Sequence, residues 1–523
     1  MNKVEFDRRA GKLAPVPSAL VSRNPAAWLS IFGPGAVIAS LTIGTGELIF
    51  STRGGVLFGY RVLFLFVTIS VLKWGLVFAS ARHMVLTGVH PYRRMMELPG
   101  PRGWLPIVLF LLASICMPIW VSFHSSVVGN LTSWITDTRG SVGGAADFAW
   151  GAAALTAVLV LTLSEGYTAL ERIQLGVVTA MMVCMGVTLV LYNPDWLALL
   201  TGAVVPQVYE YPSWLSASYP DIAEQPVWIE TTRYVGVIGG AGYDYLAYTS
   251  FLREKRWGYA GVRALGNQDV DAVAADARHP ARLWVRAPLL DCTLSFIVVV
   301  AISAVFVASG VMILGPEQQV PDEANLLNLQ ARFVTEFHPW LLPLYITAAM
   351  LAMVGTLYGT LEVACYIATE ISRAVSPEFA ERHARRIRRA TIVWCSAGAY
   401  LVLGWMATYQ IGGGGDRPPL LLAILTPANL FTGVLFCGLL CFLLCWMDRR
   451  FLPPALRMRP WLIGLNLLAG AIFLALGMKG YWDYSSRWLA IGAILGMFGI
   501  GITVAWCRQR LVLTAVDEDS SEF

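Results

Sequence analysis

Two carboxylates in this chain stand where a carboxylate is costly. Glu47 lies in the run GPGAVIASLTIGTGELIF, among Gly33, Gly35, Gly44 and Gly46; Asp244 lies in GVIGGAGYDYLAY, among Gly236, Gly239, Gly240 and Gly242. Each acid falls about 15–19 residues into a long apolar run, close to mid-bilayer at ~1.5 Å per residue. An ionisable side chain at that depth points to function. Neighbouring glycines let a helix unwind, which frees carbonyl oxygens for a cation and leaves half-helix ends pointing inward. Gly46 and Gly239 are the hinge positions of such breaks. Thr42 and Thr45 beside the first, and Tyr243 and Tyr245 beside the second, are further oxygen donors or simply fill the space glycines leave. The bland alternative is that the glycines serve close helix packing and that each acid pairs with a buried arginine. Arg53 and Arg233 lie near the outer ends of these runs, where they can reach water.

Other polar residues inside apolar runs carry weaker signals. His124 could relay protons, and Glu362 could do the same, act as a gate or form a salt bridge. Asp291 could pair with Arg286. Asn429, in TPANLF, could ligate an ion or cap a kink after Pro427. Cys437, Cys441 and Cys445 recur every four residues and share a helix face, the pattern of packing residues. No CxxC pair suggests zinc or a disulfide framework.

The elements that position these residues follow from composition. Of 523 residues 56% are hydrophobic and 14% charged, against about 25% charged in soluble domains. Only a bilayer solvates so much apolar surface. The net charge of +4 gives no reason to expect nucleic acid as a partner. Apolar runs predict about twelve spanning helices, near 28–53, 60–84, 104–130, 146–164, 170–192, 229–252, 286–313, 339–370, 388–409, 419–446, 461–478 and 487–507. Basic residues cluster at 82–102, 253–286, 382–389 and 449–459, whereas 193–228 has acids and neither Lys nor Arg. Positive segments stay cytoplasmic, which places both termini inside and 193–228 outside. The expected organisation is a cytoplasmic segment 1–27, a five-helix repeat 28–192, an extracellular loop 193–228, a second five-helix repeat 229–446, two additional spans within 447–507, and an acidic cytoplasmic tail 508–523. Spans one and six run antiparallel, so an inverted five-plus-five repeat brings both breaks to one central site.

Several segments, in order, resemble the Nramp family of proton-coupled divalent-metal transporters: GPG at 33–35, FGY at 58–60, ARHMVLTG at 81–88, ALER at 169–172, PDWLALLTGAVVP at 194–206, and the pair Tyr245-Leu246. The likeness covers most of the first ten spans and implies an all-α LeuT-type fold with broken helices one and six. At the site itself the chain departs from the family. The family's DPGN motif corresponds to Gly44-Thr45-Gly46-Glu47, so its metal-binding aspartate falls on Gly44 and its asparagine on Glu47. Its MPH motif falls on Gly240-Ala241-Gly242, without the methionine sulfur or the histidine, and Asp244 follows two residues later. The family's third-helix acidic pair is missing around Met117–Val121. In lacking the methionine, the chain is similar to the Nramp-related magnesium transporters.

These readings converge on a secondary transporter that moves a divalent cation by alternating access, with no cofactor besides the transported ion. Carboxylate, carbonyl and water ligands suit hard ions such as magnesium or manganese. Gly44, Thr45, Glu47, Gly240, Gly242, Tyr243, Asp244 and Asn429 form the expected site, and His124 and Glu362 are the relay candidates. Protons either take no part or couple through Glu47 and Asp244 themselves. The alternative is an ion-coupled symporter of a small organic solute such as an amino acid. A membrane-embedded enzyme has less support, since the chain holds no HExxH or GxSxG and its six histidines are dispersed.

Overall fold

The structure, a computed structural model, describes residues 13–521 apart from 165–171, 173–174, 177–178, 181–182, 184–185, 188, 322–325, 336–337 and 412–420. Every regular element among the described residues is helical. Nine of these helices are long and apolar enough to cross a membrane, or ten if a pair bent by 81° near the N-terminus is one span.

The first span begins later than its hydropathy suggests. Residues 25–31 form a short helical stretch bent by 81° from α1 (Pro34–Thr42). Pro34 at the first helical position has the φ that a helix start needs, so the span starts at the GPG and not at residue 28. It continues through a π-helical turn, Ile43–Glu47, into α2 (Leu48–Phe58). Gly59, with φ +63°, ends it. The second span is α3 (Val62–Thr87), stopped by Gly88 at φ +67°. The third and fourth are α4 (Trp104–Ile135) and α5 (Ala146–Ser164). The fifth expected span, 170–192, lies largely outside the described residues.

The sixth span is two helices, α6 (Val227–Val237) and α7 (Gly242–Lys255). The seventh, α8 (Arg286–Ser309), runs into a π turn at Gly310–Leu314. The eighth is α9 (Leu342–Val375) and the ninth α10 (Pro377–Ile411). α10 starts eleven residues before the expected 388 because its arginine-rich first turns are helical although they are too polar for a hydropathy reading. The tenth joins α11 (Leu421–Asn429) through a π turn, Leu430–Leu435, to α12 (Phe436–Phe451). Two further helices follow, α13 (Pro460–Trp482) and α14 (Arg487–Ser521); α14 carries the helix well into the acidic tail.

The packing puts the interrupted spans in the middle. α1 and α2 lie against α8, α1 also lies against α9, and α7 lies against α3 and α9. The basic segments 82–102, 253–286 and 449–459 meet at one end of the bundle. Arg82 pairs with Asp448 at 3.0 Å. Arg93 donates to the Ala374 carbonyl, Arg253 and Arg373 both pair with Glu370, and Arg508 donates to the Val375 carbonyl. Ala14 and Leu20 accept bonds from Trp284 and Arg286 at this same end.

Candidate functional site

The sixth span is opened by its glycines. α6 stops at Val237; Gly239 and Gly240 have φ +78° and +94°, values that L side chains rarely adopt, and Ala241 is extended. An opened helix leaves amides and carbonyls that in a membrane must find partners. Four side chains supply them. Glu47 Oε1 accepts the Gly239 amide at 2.9 Å. Asp244 Oδ2 accepts the Ala241 amide at 2.8 Å, a carboxylate capping the positive end of α7. The Tyr245 hydroxyl reaches the Gly239 and Gly240 carbonyls at 2.7 and 3.0 Å. Lys73, from the middle of α3, donates from Nζ to the Ile238 carbonyl at 2.7 Å and the Gly240 carbonyl at 2.6 Å.

The structure thus brings Glu47 and Asp244 to one break, as an inverted repeat requires. Lys73 is the residue that sequence reasoning missed. The signal was present: a single lysine inside the apolar run VLFLFVTISVLKWGLVFASAR. The cation at the sixth-span break comes from the second span, neither of the two that carry the acids.

Glu47 and Lys73 are completely buried, and Glu47 Oε2 has no hydrogen-bond partner. Asp244 is partly exposed to a cavity of about 50 Å³. At roughly 10–15 Å³ per water centre this is room for a few waters. Its walls include Thr42, Trp120, His124, Gly240, Thr360 and Thr432. Among the described residues no group of three or more His, Cys, Asp or Glu side chains is placed to hold a metal. A cation here would have the carboxylates, backbone and hydroxyl oxygens and water as ligands, with His124 and Met117 also in the cavity wall.

The other expected site residues are distributed as follows. Gly44 is a packing glycine, since a Cβ there would lie 1.8 Å from Thr356 Oγ1. Thr45 and Gly46 belong to the π turn, so the first span, expected to break at Gly46, stays helical there; the Thr45 side chain lies outside the described residues. Gly242 begins α7 against the Phe436 ring. Tyr243 turns away from the break: its hydroxyl donates to the Leu109 carbonyl at 2.7 Å and its ring packs on Phe436. Asn429 packs against Gly236, and its buried Oδ1 lacks a partner. His124 lines the cavity and stacks on Trp120. Glu362 makes a two-pronged ion pair with Arg388 at 2.5 and 2.6 Å, the salt bridge among its alternatives. A methionine at position 240 would need the left-handed backbone and would bring Cβ to 3.0 Å from Thr42 Cγ2.

Three expectations about charge need correcting. Arg53 and Arg233, although partly exposed, do not end in water alone. Both pair with the buried Glu230, at 2.5 and 3.0 Å, and the Tyr234 hydroxyl donates to the same carboxylate; a buried acid one turn from Arg233 holds them. Asp291 accepts the amides of Gly33 and Gly35 at 2.9 and 2.7 Å and the Tyr248 hydroxyl at 2.8 Å. It caps α1, while Arg286 donates to the Leu20 carbonyl.

No protein-family model and no curated protein sequence matches the chain. Solved structures do. The chain is similar to a crystal structure of a histidine-to-alanine variant of the Eremococcus coleocola manganese transporter, with a TM-score of 0.66 and 13% identity over 95% of this chain and 97% of that one. A structure of the same transporter in complex with an aromatic bis-isothiourea substituted compound matches with a TM-score of 0.65 over the same shares. The chain therefore shares the all-α fold of these structures.

Proposed function

We propose that this chain is a secondary transporter that carries a divalent cation, magnesium or manganese, by alternating access. One observation carries the reading: Glu47 and Asp244, from the first and sixth spans, converge on the same unwound stretch, Gly239–Ala241. The manganese transport named for the structural neighbours supports it. The break itself carries no thioether or imidazole, although Met117 and His124 stand in the cavity wall; the oxygen donors at the break favour hard ions. We expect proton coupling to be weak, since the third span offers Met117, Trp120 and His124 in place of an acidic pair. Both termini are cytoplasmic in this reading, supported by the meeting of the basic segments at one end. The repeats run over 28–192 and 229–446, joined by the external loop 193–228.

A second reading, an organic solute, draws on Lys73 beside the break and on Trp120 and His124 in the cavity wall. Both are tested by the same measurement. Purified protein in liposomes with a trapped pH dye should take up Mn²⁺ or Mg²⁺ with little internal acidification, and Glu47→Gln and Asp244→Asn should each abolish uptake. Uptake of an amino acid with no metal flux would favour the second reading. Full metal uptake by both variants would sink the site.

A further inference from the structure

We propose that Lys73 is a tethered cation that sets the charge, and hence the ion affinity, of the transport site. The inference rests on the cation-transport reading above and deepens it. It starts from one peptide unit gripped at both ends. Lys73 Nζ donates to the Ile238 carbonyl, and Glu47 Oε1 accepts the Gly239 amide; these are the O and the H of a single peptide bond. In a trans peptide the two point in opposite directions. The ammonium therefore sits at the negative end of the peptide dipole and the carboxylate at the positive end.

The second Nζ bond, to Gly240, completes the grip. Carbonyls freed by an unwound helix are the groups that hold a cation in this kind of site. Here the Ile238 and Gly240 carbonyls already hold one, at 2.7 and 2.6 Å, lengths proper to charge-assisted bonds. That cation is covalently attached to α3 and cannot be transported. Glu47 and Asp244 both attract it.

The carboxylates are not equivalent towards the cavity. Asp244 and Gly240 line it, whereas Glu47 and Lys73 do not. Glu47 is thus matched by Lys73 across the peptide, and Asp244 is the carboxylate left facing an incoming ion. Two uncompensated carboxylates would nearly neutralise a divalent ion; one leaves it half compensated. Lys73 weakens divalent binding, which favours release on the far side.

The test uses the full chain in detergent, with Mn²⁺ as the probe in calorimetry and thermal unfolding as a second readout. Lys73→Met removes the charge, Glu47→Gln removes its counterpart, and the double variant removes both. Lys73→Met should tighten Mn²⁺ binding by roughly tenfold, and the double variant should return towards wild type. In unfolding, the double variant should lose less than the sum of the two single losses. If Lys73→Met alone does not fold, the double variant should, because it leaves no unmatched charge. Additive losses, failure of the double variant to fold, or unchanged or weaker Mn²⁺ binding by Lys73→Met when wild type binds it, would each overturn the proposal. If no protein binds Mn²⁺ and the unfolding losses are still non-additive, the divalent-ion reading falls and the Lys73–Glu47 pairing stands.

Discussion

Gly44-Thr45-Gly46-Glu47 in the first span and Gly239-Gly240-Ala241-Gly242 in the sixth are both rich in glycine, yet only the second opens. The first run remains helical through a π turn, with Thr42 and Leu48 on either side in ordinary helical conformation. The second has two left-handed glycines and an extended alanine. Glycine makes unwinding possible without making it happen. An opened helix in a membrane survives only where its freed groups are taken up. Lys73, Tyr245, Glu47 and Asp244 do this around the sixth span, and Glu47 comes from the first. The first span supplies a hydrogen-bond acceptor to the break of the sixth and keeps its own backbone closed.

The largest expected effect probes the other link between these spans. Glu230 of α6 is completely buried and holds Arg53 of α2 as well as Arg233. Glu230→Gln keeps the shape and strands two guanidinium groups. Removing one partner of a buried pair costs about 3–5 kcal/mol, so thermal unfolding in detergent should show a severely destabilised protein. A loss below ~1 kcal/mol, the level of a surface pair, would mean that the outer halves are not joined by this cluster.

The second prediction separates the two glycine runs by the reason each needs glycine. Gly44→Ala drives Cβ into Thr356 Oγ1, with Thr356 Cβ at 2.8 Å and the Ala352 carbonyl at 3.0 Å. That is a contact with a neighbour, so Thr356→Ala should partly restore stability. Gly239→Ala instead imposes about 1–2 kcal/mol of left-handed strain and brings Cβ to 3.1 Å from Phe296. Phe296→Ala should not restore it, because the strain lies in the backbone. Equal rescue at both positions, measured by unfolding, would erase the distinction.

Much of this architecture was legible beforehand. Apolar runs predicted the spans, and the acids at mid-run marked the centre. What was not legible depended on contacts between distant segments. Nothing in GTGE distinguishes a π turn from an unwound loop, because the outcome depends on what surrounds it. Lys73 is visible as an anomaly in its own span, but its role requires knowing that α3 passes the sixth-span break. Asp291 lies five residues from Arg286, a spacing that does not bring two side chains together on a helix; two of its partners, Gly33 and Gly35, are more than 250 positions away, and Tyr248 is 43 away.

The smallest effect concerns that aspartate and its counterpart in the sixth span. Asp291 and Asp244 each cap a half-helix, α1 and α7. Asp291 accepts three bonds, from two amides and a tyrosine hydroxyl, and a Cβ on Gly35 would lie 2.7 Å from its carbonyl oxygen, so it is enclosed by protein. Asp244 accepts one amide and otherwise faces the cavity. Asparagine keeps one acceptor and turns an NH₂ group towards donors. Asp291→Asn should therefore lose about 0.5–2 kcal/mol, the usual value of a cap, and keep the ion affinity of folded protein. Asp244→Asn should lose less stability but all of its transport. Both readouts come from one preparation, unfolding in detergent and Mn²⁺ uptake after reconstitution. If Asp291→Asn unfolds as wild type does but carries no ion, the carboxylate at the start of the first span belongs to the transport path, and the division between a structural cap and an ion-binding cap fails.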